Sequence, residues 1–369
     1  MTAHPVSPNT VLANALTSAE DVLAPRIHAA KPDRITFGVG TQINGAPHIG
    51  TSLVQALTFA AAARTRDRYG LPVAVAFGAL DNAPYELTTD PATGHRYQRA
   101  YAQALGEREV TAQVDHLYRP LFEALSKATG VPYHVETYSE QQRGEDYRRT
   151  WLRLLPRIDA CRWWLAPSTG VPHVRMPCPE PGCGWAEKYA ERTSVVTEGN
   201  GCAQVHAHCL HHGSYSGMIG PGHGAYLDLA TLYRNLVKEL ALSTDAGNLH
   251  VMVKGGDWVF GSILVDGALQ AAGLAQGGLP TRLFCPQVVT DTGAKLSKSL
   301  IREGRASLPD GAEPWMLDTR LWSGSLAEYA ERLLALAEVL FSDPRHFFRS
   351  YSAAELGRMM TTAGSRTAA

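Results

Sequence analysis

The stretch RITFGVGTQINGAPHIGTS, Arg34–Ser52, decides the fold. Arg34–Thr41 reads as a buried strand, and a glycine-rich turn follows it. A helix opens near Gly50, and TSLVQALTFAAAARTRDRYG, Thr51–Gly70, continues that helix to a glycine cap. LPVAVAF, Leu71–Phe77, is a second buried strand. Continuous apolar runs of this kind suit a parallel sheet covered on both faces. At the turn, Gly40–Ser52, His48 and the unpaired amides of a helix N-terminus face one point. Such termini bind phosphate, because their N–H groups lack partners and the helix dipole favours an anion. His48 can donate to a phosphoryl oxygen, and Gly50 lets a flat base approach the backbone. An ordinary strand-to-helix turn accounts for the same residues.

Working outward, Glu107–Thr129 reads as helix, Pro132–Tyr138 as a third strand and Glu140–Trp164 as helical. Tyr226–Leu242 has helical apolar spacing, Leu249–Trp258 reads as strand and turn, and Thr281–Val289 as strand. Residues 312–361 read as all-helical. Strands alternating with helices make the main domain α/β with a parallel sheet. The expected organisation is an N-terminal lead-in at 1–30, a catalytic domain at 31–171 and 217–305, a small insert at 172–216 and a short helical tail at 306–369.

The 369 residues carry 34 basic and 35 acidic side chains, a net charge of −1, which argues against a broad polyanion-binding surface. No apolar run reaches the ~18 residues that span a bilayer, and Leu53–Ala63 is better read as a core helix. The first thirty residues show no signal-peptide pattern, so a cytoplasmic location is expected, with no membrane partner. Of the basic residues 27 are Arg and 7 are Lys, so the pair Lys295 and Lys298 in TGAKLSKSL, Thr292–Leu300, stands out. Two lysines on a loop after a strand can hold a triphosphate and stabilise a pyrophosphate leaving group. Gly293 supplies hinge freedom there. In KGGDW, Lys254–Trp258, Asp257 can meet ribose hydroxyls or help hold Mg²⁺.

Cysteines 178, 183, 202 and 209 cluster as metal ligands do. Cys178-x4-Cys183 and Cys209-x2-His212, about 25 residues apart, fit the two knuckles of a zinc ribbon. The expected Zn²⁺ ligands are Cys178, Cys183, Cys209 and His212, with Cys202, His206, His208 and His211 as rivals. Four protein ligands would close the site and make it structural. A Gly/Pro-rich insert with no core of its own needs such a staple. Trp163 and Trp164 read as core, and His134 and His173 as satisfied structural histidines.

The order PHIG, GGDW, KLSKS resembles the class I aminoacyl-tRNA synthetases, whose two defining motifs are HIGH and KMSKS. The resemblance spans roughly residues 34–305. Within that class the sequence is most similar to the class I lysyl enzymes, through GAPHIGTS, PCPEPGCG leading to CLHHGSYS, and DLATLYRNL before GGDW. The resemblance implies a Rossmann-like (HUP-type) nucleotide-binding domain with a zinc ribbon insert and a short C-terminal helical region. It carries His48 and Gly50 over as HIGH residues, with Thr51 in place of the last His. Lys295, Ser297, Lys298 and Ser299 become the signature loop, with Leu296 for Met, and Asp257 falls where the family contacts ATP ribose.

The implied site then has His48, Lys295 and Lys298 as catalytic residues. Gly50, Thr51, Gly256, Asp257, Ser297 and Ser299 would bind ATP. Thr41, Gln42 and Asn44 would contact the α-amino or carboxyl groups of an amino acid. Asp228 and Tyr233 would read its side chain, Asp228 suiting a cationic or polar substrate. The expected reaction is ATP- and Mg²⁺-dependent formation of an aminoacyl-adenylate. Lysyl enzymes of this class carry a large helical anticodon-binding domain after the signature loop. After Leu300 this chain has eight Arg, no Lys and nine acidic residues, a composition poorly suited to RNA. A small amine is therefore the expected acceptor. The rivals are transfer to tRNA through the acceptor stem only, and a non-catalytic binding protein on the same fold.

Overall fold

In the computed structural model, the described residues are 16–165, 173–199, 201–290, 293–296, 301, 304 and 307–366. Thirteen strands occur in chain order among them. They are β1 (Arg34–Gln42), β2 (Val73–Leu80), β3 (Pro84–Thr89), β4 (Arg96–Ala100), β5 (Tyr133–Thr137), β6 (Trp185–Glu187) and β7 (Ser194–Thr197), then β8 (Ala203–Cys209), β9 (Gly213–Ile219), β10 (Asn248–Gly255), β11 (Thr281–Cys285), β12 (Val288–Val289) and β13 (Tyr351–Ser352). The main sheet has the order β11-β10-β1-β2-β5, parallel throughout. The chain builds outward from β1 through β2 to β5, then returns to the other side of β1 with β10 and β11. The order therefore reverses between β1 and β10. This is the doubly wound, Rossmann-like arrangement, and its ligand crevice lies beyond the carboxyl ends of the strands at that switch.

The helix Ile49–Tyr69 is buried along most of its length because it lies under the sheet, and Gly70 ends it at φ 66°. Phe59, Phe77 and Phe122 interlock between that helix, β2 and the helix Arg119–Thr129, with the Phe122 ring centroid 5.5 Å from that of Phe59 and 4.5 Å from that of Phe77. The expected helix 107–129 is divided at Tyr118 into Glu107–Leu117 and Arg119–Thr129. Pro120 is the cause, since it has no N–H to continue the ladder. The expected strand 281–289 is likewise interrupted at Pro286, and β12 pairs instead with β13 from the C-terminal region. The helix expected from Tyr226 begins at Thr231, because Leu229 pairs with Val174 as an antiparallel bridge. The helix Val259–Ala271 and the β3–β4 hairpin are additions to the elements expected from the sequence.

The C-terminal helices are part of the main body. Trp315, Met316, Tyr329, Leu333, Phe341 and Met360 share one continuous apolar core with β1, β2 and the helix Ile49–Tyr69. A second core joins the helices between Tyr138 and Leu165 to β8, the helix Thr231–Leu242 and the helix Val259–Ala271. Trp163 and Trp164, expected in a core, are surface residues, 74% and 41% exposed. Trp164 lies over Gly267, where a Cβ would collide with its ring. His134 is exposed on the edge strand β5, whereas His173 is buried beside the Tyr233 ring. No helix of the described residues is long and apolar enough to cross a membrane.

The cysteine-rich segment pairs with a distant part of the chain. The β3–β4 hairpin accepts β6 into a three-stranded antiparallel sheet, and β7-β8-β9 form another. The Arg99 guanidinium donates to the Gly182 carbonyl at 2.9 Å, which ties the hairpin to the first knuckle.

Candidate functional site

A cleft of about 510 Å³ opens at the β1–β10 switch, within the usual range for small-molecule sites. The turn after β1 is pinned from outside. The Tyr118 hydroxyl donates to the carbonyl of Gly45 at 2.6 Å or that of Gln42 at 3.1 Å, and the Thr319 amide donates to the Pro47 carbonyl at 3.1 Å. His48 caps the helix Ile49–Tyr69, its Nδ1 accepting the Gly50 amide at 3.1 Å. That bond needs Nδ1 unprotonated, so the ring's proton sits on Nε2. A Cβ on residue 50 would stand 2.9 Å from His48 Cε1. Gly50 is therefore required by the histidine cap, a different reason from the approach of a base. Thr41, Gln42, Asn44 and Thr51 all line the cleft.

Across the cleft, Lys295 Nζ lies 2.5 Å from Asp257 Oδ2. Lys295 bridges to Val289, and the next amide, Leu296, donates to the Val288 carbonyl at 2.9 Å. The Leu296 side chain is buried in the main core, so it anchors the loop that presents Lys295. Gly293 sits at φ 80° in the turn before it, a conformation that favours glycine. Ser297, Lys298 and Ser299 lie outside the described residues. Gly255 and Asp257 line the cleft, whereas Gly256 backs onto the Cys285 carbonyl, which a Cβ would meet at 3.2 Å.

Neither Asp228 nor Tyr233 lines the cleft. Asp228 precedes the helix, is 2% exposed, and is held by Arg175 at 2.9 and 3.1 Å and by the Asn82 amide at 2.8 Å. Its charge is already neutralised. Tyr233 points into the second core. The cleft-facing residues of that helix are Thr231, Arg234, Asn235 and Lys238. Their spacing of i, i+3, i+4, i+7 is one helical face. A polar stripe on an otherwise apolar helix was the available signal. Glu136 and Lys254 also line the cleft unanticipated. Lys254 donates to Glu239 at 2.8 Å, and burial lowers its pKa. Three of the seven lysines, Lys238, Lys254 and Lys295, thus face one cleft.

At the cysteine cluster, the donor atoms of Cys178, Cys183, Cys209 and His212 all lie within 4.8 Å of one another. His212 Nδ1 is 3.5 Å from Cys178 Sγ and 3.6 Å from Cys209 Sγ, and the sulfurs of Cys183 and Cys209 are 3.4 Å apart. Tetrahedral Zn²⁺ with bonds of 2.0–2.3 Å requires ligand separations of about 3.3–3.8 Å, so these three separations fit. Burial opposes ionisation of Cys209, but hydrogen bonds from the amides of His211 and His212 and from the Cys183 and Cys178 thiols together hold this thiol below its usual range. Cys202, His206, His208 and His211 fall outside the group of four. A nearby trio, His95, Glu187 and Glu191, is an ion-pair network in which Glu187 already binds Arg192 at 2.9 Å.

No family model and no curated protein matches this chain. Solved structures similar to it include a Mycobacterium tuberculosis methionyl-tRNA synthetase bound by methionyl-adenylate, at 14% identity and TM-score 0.42, covering 90% of this chain and 68% of that one. A second structure of a methionyl-tRNA synthetase from that organism, in complex with methionyl-adenylate, gives 16%, 0.43, 89% and 68%. A putative arginyl-tRNA synthetase from Campylobacter jejuni gives 8%, 0.37, 95% and 72%. At these scores the likeness carries no argument, and the fold rests on the strand order of this chain.

Proposed function

We propose that the chain uses ATP to activate the carboxylate of an amino acid as an acyl-adenylate and passes the acyl group to a small amine. The observation that carries this reading is the convergence at the switch point of a histidine-capped helix N-terminus and the Lys295–Asp257 pair. A substrate carboxylate oxygen attacks the α-phosphorus in line. The bond from that phosphorus to the bridging oxygen breaks, and pyrophosphate leaves with the electron pair. The His48 Nε2–H and the open helix amides stabilise charge on the α-phosphoryl oxygens, and Lys295 stabilises the departing pyrophosphate. Lys298 follows on the same loop and is assigned the same role. ATP arrives with Mg²⁺, toward which Asp257 is the carboxylate at this end of the cleft. Holding both reactants at the switch point supplies much of the rate. In the second step the amine nitrogen attacks the acyl carbon and AMP departs. The Cys178/Cys183/Cys209/His212 set holds Zn²⁺ with no open position, so its role is structural.

After Leu300 the chain has eight Arg, no Lys and nine acidic residues, a balance that supports an acceptor smaller than tRNA. ATP–pyrophosphate exchange, run over the amino acids with and without bulk tRNA, tests the reading. Exchange without tRNA is expected. Exchange that appears only with tRNA favours acceptor-stem charging. Silence in both, with ATP binding intact, leaves a binding protein.

A further inference from the structure

The Lys238 ammonium lies within the cleft, and its position is set by two glycines. Gly40 on β1 and Gly78 on β2 are register partners at the carboxyl ends of the central strands. A Cβ on Gly40 would lie 3.2 Å from the Gly78 carbonyl, and one on Gly78 would lie 3.7 Å from Lys238 Nζ. The sheet thus presents a floor without side chains, and the helix Thr231–Leu242 lays Lys238 over it. Among the described residues Lys238 makes no hydrogen bond or ion pair, and burial lowers its pKa. The charged groups nearest it are Glu136, whose carboxylate acts on it through space, Glu239, Lys254 and Arg234. Glu239 holds Lys254 and Arg282. Arg234 donates to Asn82 at 2.9 Å and adds a second cation to this wall. Glu136, the register partner of Gly78, is exposed and takes the Gln141 amide at 3.2 Å.

Resting on the activation reading above, we propose that this floor is the side-chain subsite and that the activated substrate is an amino acid with an acidic side chain, whose second carboxylate pairs with Lys238. A partly desolvated ammonium without a partner wants a counter-charge. A cationic side chain would meet Lys238 and Arg234 together, Lys254 being already paired with Glu239. This reverses the expectation drawn from Asp228, whose charge Arg175 has already taken. The substrate's reacting carboxylate lies at the other end, toward His48 and Lys295, and the side chain runs back over the glycines.

The test is ATP–pyrophosphate exchange with L-aspartate and L-glutamate against L-asparagine, L-glutamine, L-methionine and L-lysine. The acidic pair is expected to exceed the others by at least about tenfold in kcat/KM. Lys238→Gln is expected to raise the KM for the acidic substrate about 30- to 100-fold, with the KM for ATP unchanged, and Lys238→Arg to restore part of it. Best activity with a neutral or cationic amino acid overturns the subsite and leaves activation standing. So does an unchanged KM in Lys238→Gln. If no amino acid supports exchange, the activation reading falls. Calorimetry of L-glutamate and L-aspartate against wild type and Lys238→Gln then judges the subsite alone, and binding that does not depend on Lys238 overturns it. Thermal unfolding of both variants confirms folding, and Lys238→Arg stands in should Lys238→Gln fail to fold.

Discussion

The nucleotide cleft and the cysteine–histidine cluster both draw side chains from distant stretches of the chain, yet opposite means hold them. The cleft sits on a five-stranded sheet backed by a core that runs from Ala19 to Met360. Its polar groups come after the fold is secure, and they can be spent on ligand. The ligand cluster itself has little such support, although β8 beside it reaches the second core. Its apolar interior is Cys178, Cys183 and Cys209, with Trp185 and Tyr215 packed against them. There the ligands are the core. A region that has burial to spare can leave Lys238 without a partner among the described residues, while a small cluster with little burial of its own must close its ligand set.

The sharpest way to break this comparison is to remove the metal. Wild type is expected to carry one Zn²⁺ per chain by elemental analysis, and Cys183→Ser none. Structural zinc sites contribute on the order of 10 kcal/mol to small domains, so the ligand loops around residues 178–185 and 209–213 should become protease-sensitive while the sheet keeps its far-ultraviolet signal. A Cys183→Ser protein that stays resistant to limited proteolysis would show the module stands on packing alone.

The next effect is on chemistry and should leave stability alone. Lys295→Ala is expected to slow pyrophosphate exchange by about 10²–10³, as for loss of one preorganised charge donor, with the unfolding midpoint unchanged. By contrast Leu296→Ala hollows the anchor of the same loop. It should lower both stability, by roughly 2–5 kcal/mol, and exchange, whereas Leu296→Met should cost under about 1.5 kcal/mol. If Leu296→Ala spared activity, the loop would not be positioned from the core.

A third test lies at the seam between the regions. Asp81, just past β2, accepts the Ser139 amide at 3.0 Å, and burial pushes its pKa from 3.8 up to about 6. The folded state holds this proton more tightly than the unfolded chain. Stability is therefore fullest below about pH 4, falls as pH rises toward 6, and is level above. At roughly 1.4 kcal/mol per unit, the loss is about 3 kcal/mol. Urea midpoints from pH 4 to 7 measure it, and Asp81→Asn should flatten that limb. An equally steep limb in the variant would place the titration elsewhere.

The smallest effect separates the two duties of His48. His48→Asn keeps a cap for Gly50 and so should cost only a few tenths of a kcal/mol, against about 1 kcal/mol for His48→Ala. Both should lose the Nε2 donor, and with it exchange activity. Retained exchange in His48→Asn would assign His48 to capping alone.

Much of this was legible because the signals are local. A strand, a glycine-rich turn and a helix need only contiguous residues, and Arg34–Tyr69 declares all three. Two knuckles at ligand spacing mark a candidate metal set in the same way, but the choice among the rival histidines and Cys202 came from the structure. Prolines marked breaks that the periodicity alone ran through, at 120 and 286. The sequence by itself determined the alternation of strand and helix, the histidine at the helix start and the candidate metal ligands. Only the tertiary structure decided which charges reach the cleft. Helical periodicity defines the faces of Thr231–Leu242, but the partner packed against each face decides which is covered. Burial against the second core took Tyr233, an ion pair with Arg175 took Asp228, and parallel register set Gly40, Gly78 and Glu136 side by side beneath Lys238. Those positions lie up to almost two hundred residues apart in the chain, and only strand pairing makes them neighbours.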